Sequence, residues 1–219
     1  RQPQPVTPLR KNPVLQPVQS QPHKTSDYGS EKTVSPAAAG FLHVRAHAET
    51  YDIDPDRILI VGSSAGGHLC ASEAYLHTDL ERLVLDAFRD AGACDAILKN
   101  YQGISARPNG IGLLYPVISF LSDYHEGSYL YLTNSDPHLR ELLSVENHIA
   151  NGYPPTYAFA NADDDCVPPS NTARLDKALE YNRQNDHVIF VVSGGQGADE
   201  VITEAEAMKR YLMAGGVEG

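Results

Sequence analysis

The chain has 219 residues, a formal net charge of −11 and 42% hydrophobic residues. This length fits one domain, or one domain with a tail, and is enough to bury a sizeable core. The acidic charge balance argues against a nucleic-acid partner and against an anionic membrane surface. No apolar run is long enough to span a bilayer, and no secretory-type apolar segment opens the chain, although a start at Arg1 leaves an upstream leader open.

The cysteine usage indicates a reducing environment. Cys70, Cys94 and Cys166 cannot all pair with one another, and their spacing matches no metal-binding motif. Free thiols are therefore expected, which favours a cytoplasmic location. The sequence carries no nucleotide, flavin or metal motif, so we expect no cofactor.

The first part of the chain differs in composition from the rest. Six of the first 22 residues are proline, and Gln, Ser, Thr and Lys fill most of the gaps. Proline removes a backbone donor and blocks helices and central strands, so residues 1–35 are predicted to form a disordered or extended tail. Docking of this tract on an SH3-like groove is a less favoured reading. The folded domain is predicted over 36–219.

Strands alternate with helices along the predicted domain. Helix signals begin at Pro36 and stop before Asp52, and a second helix follows the motif at 62–67 and ends near His77. Residues 79–99 are expected to be helical or irregular. Four buried strands are predicted at 57–62, 111–115, 156–160 and 187–192, with helices at 137–143, 170–181 and 198–213. Segment 118–151 is a candidate lid, and the alternation predicts a parallel sheet with right-handed crossovers.

The stretch G-S-S-A-G-G at 62–67 organises the chain. A branched apolar strand precedes it and a helix follows, which is the context of a nucleophile elbow with Ser64 at its tip. Gly62 and Gly66 would let strand and helix approach closely. The amide of Ala65, at the helix N-terminus, would be one oxyanion donor. The alternatives are an ordinary strand-to-helix turn or a phosphate loop, but no Gly-Lys-Ser/Thr of a Walker loop follows.

Three consecutive acids follow the third predicted strand. An acid such as Asp164 at the carboxyl end of a parallel strand can hold a histidine in one tautomer and stabilise its imidazolium. A turn and N-cap cluster ahead of Pro168 is the alternative reading. A metal site is a poorer interpretation, because neighbouring side chains of an extended chain point to opposite faces.

Several motifs then occur in a family order. D-I-D-P-D-R-I, G-S-S-A-G-G-H-L, L-L-Y-P-V-I-S, L-R-E-L-L-S-V-E-N-H and P-P-T-Y-A-F-A-N-A-D-D-D-C-V-P follow one another between 36 and 197. They resemble the α/β-hydrolase family, in its small carboxylesterase branch of acetyl-xylan-esterase-like and feruloyl-esterase-like enzymes. The resemblance implies a three-layer fold, a Ser–Asp–His triad with Ser64 as nucleophile and Asp164 as acid, and a small-molecule ester substrate. Asp163 and Asp165 are the alternates for the acid.

Two features depart from the family pattern. Gln196 stands where the family histidine is expected, and an amide cannot accept and return a proton near neutral pH. The other histidines are poor substitutes as a base: His68, His138, His148 and His187. No H-G-G-G-type oxyanion loop occurs before residue 62, so we expect an N-terminally incomplete sheet and a missing second oxyanion donor.

Two functions are compatible with these residues. The first is a serine ester hydrolase acting on small acyl or carbohydrate esters. The second is a truncated or degenerate homologue without turnover, because Gln196 replaces the expected histidine and the oxyanion loop is absent. The identity of residue 196 is the feature that separates them.

Overall fold

The strands of the described residues form a parallel sheet. The computed structural model of the protein describes residues 36–182 and 188–193. Within them, one four-stranded sheet has the order β1-β2-β3-β4, and every neighbouring pair is parallel. The strands are β1 (Leu59–Ser63), β2 (Gly110–Leu114), β3 (Thr156–Asn161) and β4 (Val188–Ser193). The predicted parallel α/β architecture is confirmed, with strand boundaries shifted by a residue or two.

Within the described residues, two helices precede the first strand and the others lie between or after the strands that follow. The helices are α1 (Pro36–Ala46), α2 (Ala48–Tyr51), α3 (Ala65–Asp90), α4 (Asp95–Lys99), α5 (Glu126–Thr133), α6 (Pro137–Leu142) and α7 (Ser170–Tyr181), with one 3-10 turn at Val145–Asn147. Helix α7 has the predicted bounds. The helix predicted from Pro36 is broken at His47 into α1 and α2.

The prediction that the second helix ends near His77 is wrong, because α3 continues to Asp90. No glycine or proline interrupts 68–91, and the apolar stripe carries on through Leu80, Val84 and Phe88, which pack with α1. The helix stops where Gly92 adopts a φ of 82° and the amide after it bonds back to the Phe88 carbonyl at 2.9 Å.

Both faces of the sheet are buried at β3. One face packs against α3 and α7 in a cluster that includes Cys70, Ala74, Ile111, Leu113, Ala158 and Leu175. Tyr157 and Phe159 alternate with Ala158 on the opposite face and are also buried. Burial on both faces is the pattern of a parallel sheet in a layered α/β protein.

The candidate lid, 118–151, contains an element that the sequence analysis did not predict. Helix α5 begins after His125, whose ring accepts the Ser128 amide at 3.1 Å and so caps the helix. Arg140 donates to the carbonyls of the segment's first turn and lies 5.4 Å from the Tyr124 ring and 5.5 Å from the Tyr129 ring. These contacts give the segment an internal framework, and its role as a lid stays a prediction.

Other predictions meet the structure only in part. The three cysteines are unpaired, as their odd number and spacing predict; Cys70 is buried, whereas Cys94 and Cys166 are exposed. Among the described helices, none combines the length and the apolar character needed to cross a membrane. The predicted tail at 1–35 and the predicted helix at 198–213 lie outside the described residues.

Candidate functional site

Ser64 has a strained backbone at the junction of β1 and α3. Its φ of 54° and ψ of −122° fall in a region that non-glycine residues rarely occupy. Ser63 ends β1 and Ala65 begins α3, so the side chain of Ser64 stands at the turn between strand and helix. The Ser64 amide donates to the Leu114 carbonyl at 3.0 Å, which fixes the turn to the end of β2.

Two glycines make this turn possible, and one of them is not the glycine that we expected. A Cβ on Gly62 would lie 2.3 Å from the Gly66 carbonyl oxygen and 2.7 Å from the Cys70 sulfur. A Cβ on Gly67 would lie 2.8 Å from the Pro116 Cβ. A Cβ on Gly66 would meet nothing within 4 Å, so the prediction that Gly66 needs to lack a side chain is wrong. Gly66 matters because its backbone fills the space beside Gly62.

The Ser64 carbonyl accepts two amides, from His68 in its own helix and from Val117 after β2, both at 3.2 Å. The second bond was not predictable from motif spacing, because it joins two loops distant in sequence. The donor, Val117, follows a turn at Tyr115, whose φ of 38° is also strained. Ala65, as the first residue of α3, has an amide with no acceptor inside the helix.

Asp164 is the inward residue of the three consecutive acids. Its Oδ1 accepts the Cys166 amide at 3.0 Å and the Val167 amide at 2.9 Å. Asp164 is half-buried, whereas Asp163 and Asp165 are exposed. Both of these bonds use Oδ1, so the loop orients the carboxylate through one of its two oxygens.

The structure brings Ser64 and Asp164 to the same edge of the sheet. Ser63 is in register with Leu114 of β2, and Leu114 is in register with Phe159 of β3. Because the strands are parallel, the loops after β1 and β3 both leave from the carboxyl edge. Strand β2 lies between β1 and β3, so β1 and β3 are about 10 Å apart at the ordinary spacing of strands.

A small apolar cluster packs between the two loops. Val117, Phe120 and Val167 are buried against one another. Val117 donates to the Ser64 carbonyl and Val167 donates to the Asp164 carboxylate. The cluster therefore joins the backbone beneath Ser64 to the backbone that holds Asp164.

His68 is a packing residue rather than a base. It is buried on α3, its Nε2 lies 2.8 Å from the Leu143 carbonyl oxygen, and its Nδ1 lies 3.4 Å from the Ser72 hydroxyl. Burial lowers the pKa of His68 below its usual value, although the bond to Leu143 works in the opposite direction. With Nε2 facing a carbonyl, the ring donates there and has no open nitrogen for Ser64.

The other histidines differ in their surroundings. His138 is exposed on α6. His148 stacks on Tyr75 with ring centroids 4.6 Å apart, and its Nε2 lies 3.1 Å from the Glu141 carbonyl oxygen. His187 and Gln196 lie outside the described residues. In 36–182 and 188–193, no group of three or more His, Cys, Asp or Glu side chains is arranged to hold a metal ion.

Comparison with known proteins places these features in a family. Residues 33–179 match the family described as BD-FAE. Endo-1,4-beta-xylanase B of Butyrivibrio fibrisolvens is 31% identical over 142 residues, which are 64% of this chain and 20% of that protein. A probable isoprenylcysteine alpha-carbonyl methylesterase of Arabidopsis thaliana is 26% identical over 159 residues, 67% of this chain and 31% of that protein. The chain thus spans less than a third of either curated relative.

Solved structures show the same fold. The acetyl ester-xyloside bifunctional hydrolase of Caldicellulosiruptor lactoaceticus is 26% identical, with a TM-score of 0.67 over 86% of this chain and 69% of that one. The carboxylesterase Cest-2923 of Lactobacillus plantarum is 19% identical, with a TM-score of 0.62 over 87% of this chain and 73% of that one. On this evidence the chain has the α/β-hydrolase fold and belongs to the BD-FAE family.

Proposed function

We propose that this chain is a serine ester hydrolase in which Ser64 is the nucleophile, Asp164 the acid and the Ala65 amide an oxyanion donor. The observation that carries the proposal is the strained Ser64 between β1 and α3, with the oriented carboxylate of Asp164 at the same edge of the sheet. A half-buried serine hydroxyl on a strained turn, next to helix N–H groups, fits the arrangement used for acyl transfer.

The proposed reaction is attack of the Ser64 hydroxyl oxygen on the ester carbonyl. The hydroxyl proton leaves to a base, the carbonyl oxygen gains negative charge, and the alcohol departs with a proton to leave an acyl-serine that water hydrolyses. The Ala65 amide would stabilise the oxyanion, because as the first residue of α3 it has no acceptor inside the helix. Asp164 would orient the base through Oδ2.

The relatives suggest the substrate class. One solved relative is named an acetyl ester-xyloside hydrolase, and one curated relative is a xylanase. We infer that small acyl esters of carbohydrates, acetyl esters first, are the substrates to test. The predicted lid, 118–151, would border the substrate, because its Phe120 packs with Val117 and Val167, whose amides bond to the Ser64 carbonyl and the Asp164 carboxylate.

A second candidate function is a homologue of these esterases without turnover. Gln196 occupies the position where the family histidine is expected, and an amide is not a general base. Among the described histidines, His68 and His148 each have a ring nitrogen facing a backbone carbonyl. His138 is exposed and is the first alternative base to test.

Hydrolysis of nitrophenyl acetate by the full chain separates the two functions. The hydrolase is supported if Ser64→Ala abolishes turnover while Ser63→Ala, one residue earlier on β1, retains it. Intact mass after incubation with the ester supplies a second readout, because a chain that acylates without releasing the acyl group gains one acetyl on Ser64. No acylation and no Ser64-dependent turnover would favour the homologue without turnover.

A further inference from the structure

Asn171 is a buried residue on the first turn of α7 that bonds to several loop residues. The sequence analysis predicted this helix but gave Asn171 no role. The side chain is fully buried. Its Oδ1 accepts the amides of Ile118 and Ser119, each at 3.0 Å. Its Nδ2 donates to the Asp123 carbonyl at 2.9 Å and to the Pro168 carbonyl at 3.2 Å. One primary amide thus makes four hydrogen bonds, which is its full capacity.

These partners lie in the two loops that carry the candidate site. Ile118 directly follows Val117, whose amide supports the Ser64 carbonyl. Pro168 directly follows Val167, whose amide supports the Asp164 carboxylate. A single side chain therefore ties the loop after β2 to the loop after β3, one residue away from each supporting amide.

The identity of residue 171 matters because its partners are of two kinds, amide donors and carbonyl acceptors. Ile118 and Ser119 offer N–H donors, whereas Asp123 and Pro168 offer carbonyl acceptors. A carboxylate could satisfy only the donors, and an aliphatic side chain could satisfy neither. Ile118 and Ser119 are buried, so their amides are costly to leave without an acceptor. The Pro168 carbonyl also accepts the Asn171 backbone amide at 2.9 Å, so a replacement removes one of its two donors.

Helix α7 makes further contacts with Asp123, one of the four partners of Asn171. Asp123, which has a φ of 50°, accepts the Arg174 guanidinium at 2.7 Å and the Ser170 hydroxyl at 3.3 Å on Oδ2. Both donors come from α7 and are partly exposed. The Asp123 carbonyl makes the further bond to the buried Asn171 side chain.

We propose that Asn171 is a positioning residue: it fixes the loop that supports Ser64 relative to the loop that supports Asp164. We call this connection between the two loops the lock. The inference rests on the proposed function for its catalytic meaning, since it assumes that Ser64 and Asp164 act together. The lock itself is a property of the two loops and can be measured without turnover.

Hydrogen exchange of backbone amides in the full chain tests the lock. Asn171→Leu should speed exchange on the order of tenfold at Ile118, Ser119, Cys166 and Val167, because both loops lose their common partner. Asn171→Asp should protect Ile118 and Ser119 while exchange at Cys166 and Val167 still rises. The matched control is Leu175→Ala, a core truncation one turn further along α7, whose effect should spread through the core instead.

Two outcomes would overturn the lock. One is wild-type exchange at Cys166 and Val167 in both Asn171 variants, and the other is a pattern in Asn171→Leu identical to that in Leu175→Ala. If Asn171→Leu does not fold, the near-isosteric Asn171→Asp decides alone, because its predicted split between the two loops has no counterpart in a general loss of stability.

Ester kinetics test the catalytic meaning. Asn171→Asp should lower kcat on the order of 10²-fold with little change in KM, as a small misplacement of reacting groups does. An equal fall in kcat for Leu175→Ala would contradict a positioning role. A wild-type chain without Ser64-dependent turnover would refute the proposed function instead, and the exchange experiment would still decide on the lock.

Discussion

The backbone of Gly66 occupies the space in which a side chain at Gly62 would lie. An ideal Cβ on Gly62 falls 2.3 Å from the Gly66 carbonyl oxygen, which is closer than two such atoms can approach. The strand that ends at Ser63 and the helix that begins at Ala65 are therefore packed backbone against backbone. The angle at which Ser64 stands out of the turn depends on this contact.

Gly62→Ala should destabilise the protein by about 1–3 kcal/mol, because the added methyl meets backbone that cannot move aside cheaply. Gly66→Ala is the matched control, since its Cβ meets nothing within 4 Å and the residue lies in α3. Alanine in a helix is favoured over glycine, so this variant should be neutral or more stable by up to about 1 kcal/mol. Urea denaturation measures both, and equal stabilities of the two variants would contradict the packing argument.

Asp164→Ala should lower the free energy of unfolding by about 1–3 kcal/mol, because the amides of Cys166 and Val167 lose their acceptor. Asp163→Ala removes a neighbouring exposed acid and should stay within about 0.5 kcal/mol of wild type. Denaturant midpoints for the pair measure the difference. A larger loss in Asp163→Ala would mean that the wrong acid of the three has been assigned to the loop.

Asp164→Asn separates loop support from catalysis. The amide oxygen can still accept the two backbone amides, so stability should change little. If Asp164 orients the base, kcat for an activated ester should fall on the order of 10⁴-fold, as removal of the charge does in serine hydrolase triads. Unchanged kcat in a folded Asp164→Asn chain would remove Asp164 from the proposed mechanism.

Stability should fall as the pH drops below about 6.5, the usual pKa of histidine, because His68 is buried in its neutral form. Burial lowers the pKa of His68 in the folded chain, so between that value and 6.5 the unfolded chain binds the extra proton. The contribution of neutral His68 to stability is complete above pH 6.5 and is lost as the pH falls from 6.5 through the lowered pKa of the folded chain. The slope from this site is at most about 1.4 kcal/mol per pH unit.

Denaturation curves at several pH values measure that slope in wild type and in His68→Gln, which removes the titrating ring. The slope should flatten in His68→Gln and persist in His138→Gln, because His138 is exposed. A slope that survives in His68→Gln would assign the acid sensitivity to other groups.

Gln196→His should raise hydrolysis of nitrophenyl acetate if residue 196 stands at the base position of a Ser64–Asp164 pair. The gain should be partial, because loss of one oxyanion donor costs about 2.7–4 kcal/mol and the H-G-G-G-type loop does not occur before residue 62. The gain should vanish in the double variant Ser64→Ala, Gln196→His. Robust wild-type turnover that depends on Ser64 would instead point to another base, with His138→Ala and His148→Ala as the next variants.

Much of the scaffold was predictable because its signals are local. Short runs of apolar and aromatic residues located the four strands, and the glycine pattern located the turn at Ser64. The end of α3 was misjudged because the acids after His77 resemble a break, although the apolar stripe continues on the buried side. Helix α5 was missed because its Y-L-Y-L core has no helical periodicity and its cap is His125 rather than a common capping residue.

The candidate site was predictable only as separate pieces. The motif and the acidic cluster indicated Ser64 and Asp164, but the bonds from the Val117 amide to Ser64 and from the Ile118 amide to Asn171 join residues more than 50 positions apart. No periodicity or capping rule records such pairs, because they depend on the register of neighbouring strands. The sequence analysis chose Gly66 instead of Gly67 for the same reason. The need for a glycine at 67 comes from its contact with Pro116, which exists only once β2 is in place.

The two amides on the Ser64 carbonyl have a consequence for the next peptide group. In a trans peptide the C=O and the following N–H point in opposite directions from one rigid plane. With the Ser64 oxygen turned toward His68 and Val117, the Ala65 hydrogen is turned the other way. Rotation of this plane would break both bonds, so the Ala65 N–H keeps its direction. In the proposed reaction it would need no reorientation as charge develops on the bound ester.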